Sequence, residues 1–211
     1  MEQPAIFLDK DGTLLDDVPY NVEPRLMRLA PRAGEALRLL SPHFRLIVVS
    51  NQSGVAHGYF AEAALTGVER RLKQLLASHN VELSGFYYCP HHPQGVVSAY
   101  RCACDCRKPL PGMLRRSARE QNIALEQSWM VGDILDDVEA GRWAGCRTIL
   151  VDNGGETQWK MTADRTPEFT VSDLYVAAER ILGASADTVL SQRRQSAQFD
   201  GSHRLSEKVP G

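Results

Sequence analysis

No stretch of this 211-residue chain is apolar for long enough to cross a bilayer, which argues against a membrane-spanning helix. Its start, Met1-Glu2-Gln3-Pro4, lacks the basic beginning and apolar middle of a secretory signal. An excess of positive charge is also missing. The 24 Lys and Arg residues face 26 Asp and Glu, leaving a net charge of −2 and a pI near 6.3. Nucleic-acid binders need a broad basic surface, so no nucleic-acid partner is expected, and any anion must be met by a local site. No internal repeat is present. Cysteine is scarce and odd in number, with four of the five residues falling between Cys89 and Cys106. These absences predict a cytoplasmic protein, with a monomer as the expected state, and in a reducing compartment clustered thiols read as metal ligands before disulfides.

What is present is ordinary in bulk, 43% apolar and 24% charged, and is enough for one domain with a sizeable core. Short apolar runs alternate with amphipathic segments. Strands are expected at Ile6–Leu8, Phe44–Ser50, Gly85–Cys89, Trp129–Gly132 and Arg147–Val151, with an edge strand at Phe169–Val171. Helices are expected over 31–40, with Pro31 in the first turn, and over 61–78, 112–121, 136–144 and 174–182. This pattern predicts an α/β fold, a mostly parallel sheet of five or six strands with helices on both faces. The domain spans 1–183, and from about 184 to 211 the composition turns to Ser, Gln, Arg and Gly without periodicity, as in a flexible tail.

Three strands end in polar residues: Asp9-Lys10-Asp11-Gly12-Thr13 after the first, Ser50-Asn51 after the second, and Gly132-Asp133 after the fourth. In an open parallel sheet all the carboxyl ends lie on one edge, and ligands bind there. Asp9 and Asp11 alone could be a solvated turn, since Asp and Gly are common turn residues. Two carboxylates held side by side, however, ask for a cation between them or a proton on one of them.

Together with Lys108 and Gly132-Asp133-x-x-x-Asp137, these motifs resemble the four motifs of the haloacid dehalogenase superfamily of phosphatases, in that family's order over residues 5 to 151. The resemblance implies a Rossmann-like fold and a magnesium-dependent phosphomonoesterase. Asp9 would be the nucleophile, forming an aspartyl phosphate, and Asp11 the general acid and base. Lys108 would be a counter-cation beside Asp9, and Ser50 a donor to the phosphoryl group. Mg²⁺ would be held by Asp9, the Asp11 carbonyl and Asp133, oxygen ligands being what this ion prefers, with Asp137 standing behind them. Asp136 reads equally as a residue of the helix start.

A pattern-free loop over about 89–108 carries Cys89-Pro90-His91-His92 at one end and Cys102-Ala103-Cys104-Asp105-Cys106 at the other. A C-x-H pair with a C-x-C pair supplies four ligands, enough to close a tetrahedral Zn²⁺ site. The loop resembles that of the heptose bisphosphate phosphatases within the superfamily, where it replaces a large cap. That resemblance implies Cys89, His91, Cys104 and Cys106 as the zinc ligands and leaves Cys102 as an extra thiol. It also implies a small phosphorylated sugar as the partner, with removal of the 7-phosphate of D-glycero-D-manno-heptose 1,7-bisphosphate during nucleotide-activated heptose synthesis. Substrate contacts would come from Asp17, Tyr20, Ser50, Asn51, Gln52, Ser53, Arg107 and Lys108. Two positions depart from those relatives: His57 stands where Arg is common, and Ile134 where Lys often follows the Gly-Asp pair. Histidinol-phosphate phosphatases share the Asp pair and a similar zinc loop. A non-catalytic phosphosugar-binding module would have no need of Asp9 and Asp11.

Overall fold

The computed structural model describes residues 2–185; the expected tail lies outside them apart from its first two residues. Six strands form one fully parallel sheet: β1 (Ala5–Leu8), β2 (Arg45–Asn51), β3 (Gly85–Cys89), β4 (Trp129–Gly132), β5 (Arg147–Val151) and β6 (Phe169–Val171), in the order β3-β2-β1-β4-β5-β6. The central strands are apolar on both faces because both are covered. All four residues of β1 and all of β4 are buried, as are Leu46 to Ser50 of β2.

Helices α1 (Ala33–Leu40), α2 (Ala64–Ala77), α3 (Gly112–Gln121) and α4 (Leu135–Ala144) join successive strands, and a further helix covers 174–185. Met113, Leu114 and Ala118 of α3 share a core cluster with Ala140 and Ala144 of α4 and with Phe7, Ile47, Val49 and Met130 of the sheet. Cys146 belongs to the same cluster, where burial pushes its thiol up to about 12. Helix α2 buries Leu65, Val68, Leu72 and Leu76, each worth about 1.5–3 kcal/mol of transfer free energy. Helix α1 begins two residues later than its proline suggested. Arg32 takes a left-handed backbone (φ 60°) with its guanidinium 3.4 Å from the Tyr175 ring centroid, so the helical hydrogen bonding starts at Ala33.

The strand order reverses between β1 and β4. Connections from these neighbours leave in opposite directions and open a crevice at their carboxyl ends. Asp9 follows β1 directly, and Asp133 follows β4. Residues 1–178 form one compact unit holding this crevice.

Candidate active site

Asp9 is tied to the neighbouring strand, its N–H donating to the Val131 carbonyl at 2.9 Å. Beyond it the chain folds back at once: the Leu14 and Leu15 amides both donate to the Lys10 carbonyl, at 3.2 and 2.8 Å. Gly12 turns the corner at φ +82°, and a Cβ there would collide with the Asp133 carboxylate. A Cβ on Gly155 would meet the same oxygen, so both glycines let the backbone pack directly against the Asp133 carboxylate.

Lys108 comes from the long loop and is almost wholly buried, 1% exposed. Its ammonium bonds Asp9 Oδ1, lies 2.6 Å from Asp137 Oδ1 and donates to the Val49 carbonyl at 3.0 Å. Burial works against its charge, but Asp137 and Asp9 outweigh that and hold its proton above the ordinary lysine range. The lysine is fixed at its backbone by Asn51. The Asn51 side-chain amide donates to the Lys108 carbonyl at 3.1 Å, and its oxygen accepts the Lys108 N–H at 3.0 Å. The structure thus turns Asn51, expected at the substrate, toward the chain that carries the lysine.

Asp11 points another way. Lys10 Nζ lies 2.6 Å from its Oδ1, and Gln52 Nε2 donates to its Oδ2 at 3.2 Å and to Ser50 Oγ at 2.8 Å. Burial raises the Asp11 pKa, Lys10 opposes that, and the Asp9 charge adds to it. The two carboxylates of the opening motif therefore have different partners. Each meets a buried ammonium, Lys108 for Asp9 and Lys10 for Asp11, but Asp9 shares its ammonium with Asp137, whereas Asp11 also accepts from Gln52.

Asp9, Asp133 and Asp137 are buried and place one oxygen each within 4.8 Å of the others. Thr13 Oγ1 donates to Asp133 at 3.2 Å, yet burial, with the Asp9 charge behind it, pushes Asp133 up to about 7. Three buried carboxylates against one lysine leave negative charge uncompensated. An all-oxygen cluster of three converging buried carboxylates fits Mg²⁺. Asp137 also accepts the Ile134 N–H, at 3.4 Å, whereas Asp136 pairs with Arg165 and serves the start of α4.

Cys89, His91, Cys104 and Cys106 converge as well. The Cys106 sulfur lies 2.9 Å from that of Cys89, 3.2 Å from that of Cys104 and 3.4 Å from His91 Nδ1. Donors this close, one nitrogen and three sulfurs, fit a tetrahedral zinc ion, whose Zn–S bonds of about 2.3 Å hold their sulfurs only a few ångströms apart. Cys102 is exposed and stands outside the cluster.

Around these centres lie the remaining expected contacts. Arg107 has a buried Nη1 without a hydrogen-bond partner, and the arginine lines a cavity of about 470 Å³ with His92, Gln94, Lys108 and Asp136. Asp17 and Tyr20 are exposed, and Ser53 is half-buried with its carbonyl accepting the His57 N–H at 3.0 Å. Four residues not singled out from the sequence also serve the site. Lys10 pairs with Asp11, Asn153 donates to the Gly12 carbonyl, Gly155 borders Asp133, and Glu156 accepts the Leu135 N–H at 2.8 Å. The last three follow β5, whose Asp152-Asn153-Gly154-Gly155 end is one more polar strand end on the same edge.

The HAD-hydrolase-like family model matches residues 105–177. The D-glycero-beta-D-manno-heptose-1,7-bisphosphate 7-phosphatase of Escherichia coli (strain K12) is 44% identical over 153 residues, 72% of this chain and 80% of the relative. The chain belongs to the HAD-like hydrolases. The phosphatase of the same description from Pasteurella multocida (strain Pm70) is 43% identical over 152 residues, 71% of this chain and 82% of its own. Among solved structures, the D,D-heptose 1,7-bisphosphate phosphatase of B. bronchiseptica, complexed with magnesium and phosphate, matches with a TM-score of 0.71 and 30% identity over 86% of this chain and 99% of that one. In this HAD-like hydrolase the buried acidic cluster, the lysine and the zinc-type cluster therefore occupy one edge of a fold shared with phosphatases.

Proposed function

We propose that the chain is a phosphomonoesterase working through Asp9, and that it removes the 7-phosphate of a D-glycero-D-manno-heptose 1,7-bisphosphate in the cytoplasm as a monomer. The observation that carries the chemistry is the unlike setting of the two neighbouring carboxylates. Asp9 is gripped by the buried Lys108 within the acidic cluster, whereas Asp11 faces Lys10 and Gln52 with its pKa raised by burial, the direction that suits a proton donor. An Asp9 oxygen attacks phosphorus, the phosphorus–oxygen ester bond breaks, and Asp11 gives its proton to the departing sugar oxygen. Water then attacks the aspartyl phosphate, Asp11 takes back a proton, and inorganic phosphate leaves with Asp9 restored.

Lys108 and the Ser50 hydroxyl face the charge that develops on the phosphoryl oxygens. Mg²⁺ would be held by Asp9, Asp133 and the Asp11 carbonyl, and when bound it supplies the positive charge that lets a carboxylate approach a phosphate dianion. The zinc cluster would take no chemical part. It closes the loop that carries Arg107 and Lys108. The relatives' activity supports the heptose substrate. The unpartnered buried Arg107 nitrogen supports a second phosphate, which a guanidinium can bind in bidentate fashion. Five free thiols agree with a reducing compartment.

A magnesium-dependent phosphate-release panel of α- and β-heptose 1,7-bisphosphate and histidinol phosphate tests this reading. The expected result is the highest kcat/KM on a heptose bisphosphate, with Asp9→Asn lowering it by about 10³-fold or more. Preference for histidinol phosphate would overturn the substrate, and an active Asp9→Asn variant would overturn the nucleophile.

A further inference from the structure

Four rings run in a chain across the mouth of the site. Tyr20 meets Tyr59 edge-on, with centroids 4.7 Å apart at 76°; Tyr59 stacks on His57 at 5.7 Å and 28°; and His57 lies 4.7 Å from His92. They belong to three different connections, after β1, β2 and β3, which are adjacent strands and therefore open on one edge. His92 also lines the cavity shared with Arg107 and Lys108, so the row meets that cavity at His92. Tyr59 is 63% and Tyr20 53% exposed, so both rings present their faces to solvent.

The row is held rather than loose. The Ala56 carbonyl accepts the amides of both Val96 and Val97, at 2.8 and 2.9 Å, pinning the His57 turn to the cysteine loop, and the Tyr59 N–H closes the turn on the Gly54 carbonyl at 2.9 Å. Tyr20 sits at φ 56°, a left-handed backbone that a bulky residue adopts only when its surroundings impose it. Three loops thus hold two largely exposed tyrosines in register with two half-buried histidines, with a left-handed backbone at Tyr20.

We infer that Tyr59, with His57 and Tyr20, is a specificity ledge for the non-phosphorylated body of the substrate, taking the apolar C–H face of a sugar ring while the phosphate enters beyond His92. This deepens the sugar-phosphatase reading and rests on it. The ledge selects by contact area, whereas the acidic cluster and Lys108 handle any phosphoryl group. Loss of a ring therefore changes the ratio of specificities between a sugar phosphate and a phosphate ester or anhydride that carries no ring.

The experiment compares kcat/KM for β-heptose 1,7-bisphosphate with that for acetyl phosphate, in the magnesium-loaded enzyme, for wild type, Tyr59→Ala, Tyr59→Phe and His57→Ala. Tyr59→Ala is expected to lower the heptose-to-acetyl-phosphate ratio about three- to tenfold, mainly through KM, the range that one aromatic contact provides. Tyr59→Phe keeps the ring and restores most of the ratio, which a merely structural hydroxyl role would not do, and His57→Ala lowers it in the same direction. A Tyr59→Ala ratio equal to wild type overturns the ledge, whether both rates stay level or both fall together. Wild-type protein inactive on both compounds removes the phosphatase reading itself, and the ledge with it.

Discussion

Asn51 carries the clearest residue-scale consequence. Motif order places it beside Ser50, where a substrate contact is the natural expectation, but both ends of its amide bond the Lys108 backbone. A group that touches substrate in both ground and transition states moves KM, whereas a group that aims a catalytic cation moves kcat, because small misplacements of a catalytic charge are costly. Asn51→Ala should therefore lower kcat by about 10- to 100-fold with a smaller change in KM. It should also cost about 1–3 kcal/mol of stability through the two unpaired Lys108 backbone groups. Steady-state kinetics with a thermal melt decides; a rise in KM at constant kcat would place Asn51 at the substrate instead. The bond to Lys108 could not be read from the sequence, because spacing locates a side chain on an edge but does not say which of two nearby partners its amide will meet.

At the scale of elements, the strands were legible because each is a short apolar run stopped by Gly, Pro, Asn, Asp or Ser, and the shared edge followed from their parallel pairing. Helix starts were less so, as Pro31 and the left-handed Arg32 illustrate. The cysteine loop was legible for another reason: without periodic apolar residues it has no core, and only its ligand spacing says what holds it. Cys106, the last residue of the Cys/His cluster, stands two residues from Lys108, and the Gly112 N–H reaches back to the Asp105 carbonyl at 2.9 Å, so the loop is anchored at the lysine. Taking zinc away should free both ends of this connection. Chelation, or Cys104→Ser, is expected to lower kcat at least about tenfold and to lower the melting temperature, with metal content and activity falling together. Zinc-free protein with full activity and an unchanged melt would show that the cluster is not a staple.

Across the whole molecule, the acidic edge couples folding to metal and to pH. With no cation bound, Asp133 keeps its proton up to about 7, whereas in the unfolded chain the ordinary value is 3.8. Between those values the native state binds more protons than the unfolded state, so stability falls as pH rises through the window, the opposite of a salt-bridged carboxylate. From pH 5.5 to 7.5 the metal-free protein should lose about 2 kcal/mol, or roughly 4–8 °C in melting temperature for a chain of this size. Mg²⁺ binds the charged form and should stabilise more at pH 7.5 than at pH 5.5, flattening the profile. Asp133→Asn, neutral at every pH, should flatten it without metal. Melts of the chelated protein at the two pH values, repeated with Mg²⁺ and with the Asn variant, separate this from the other titrating groups. A metal-free profile that is level or rising, or one that Asp133→Asn leaves unchanged, would mean that this carboxylate does not set the link between metal and fold.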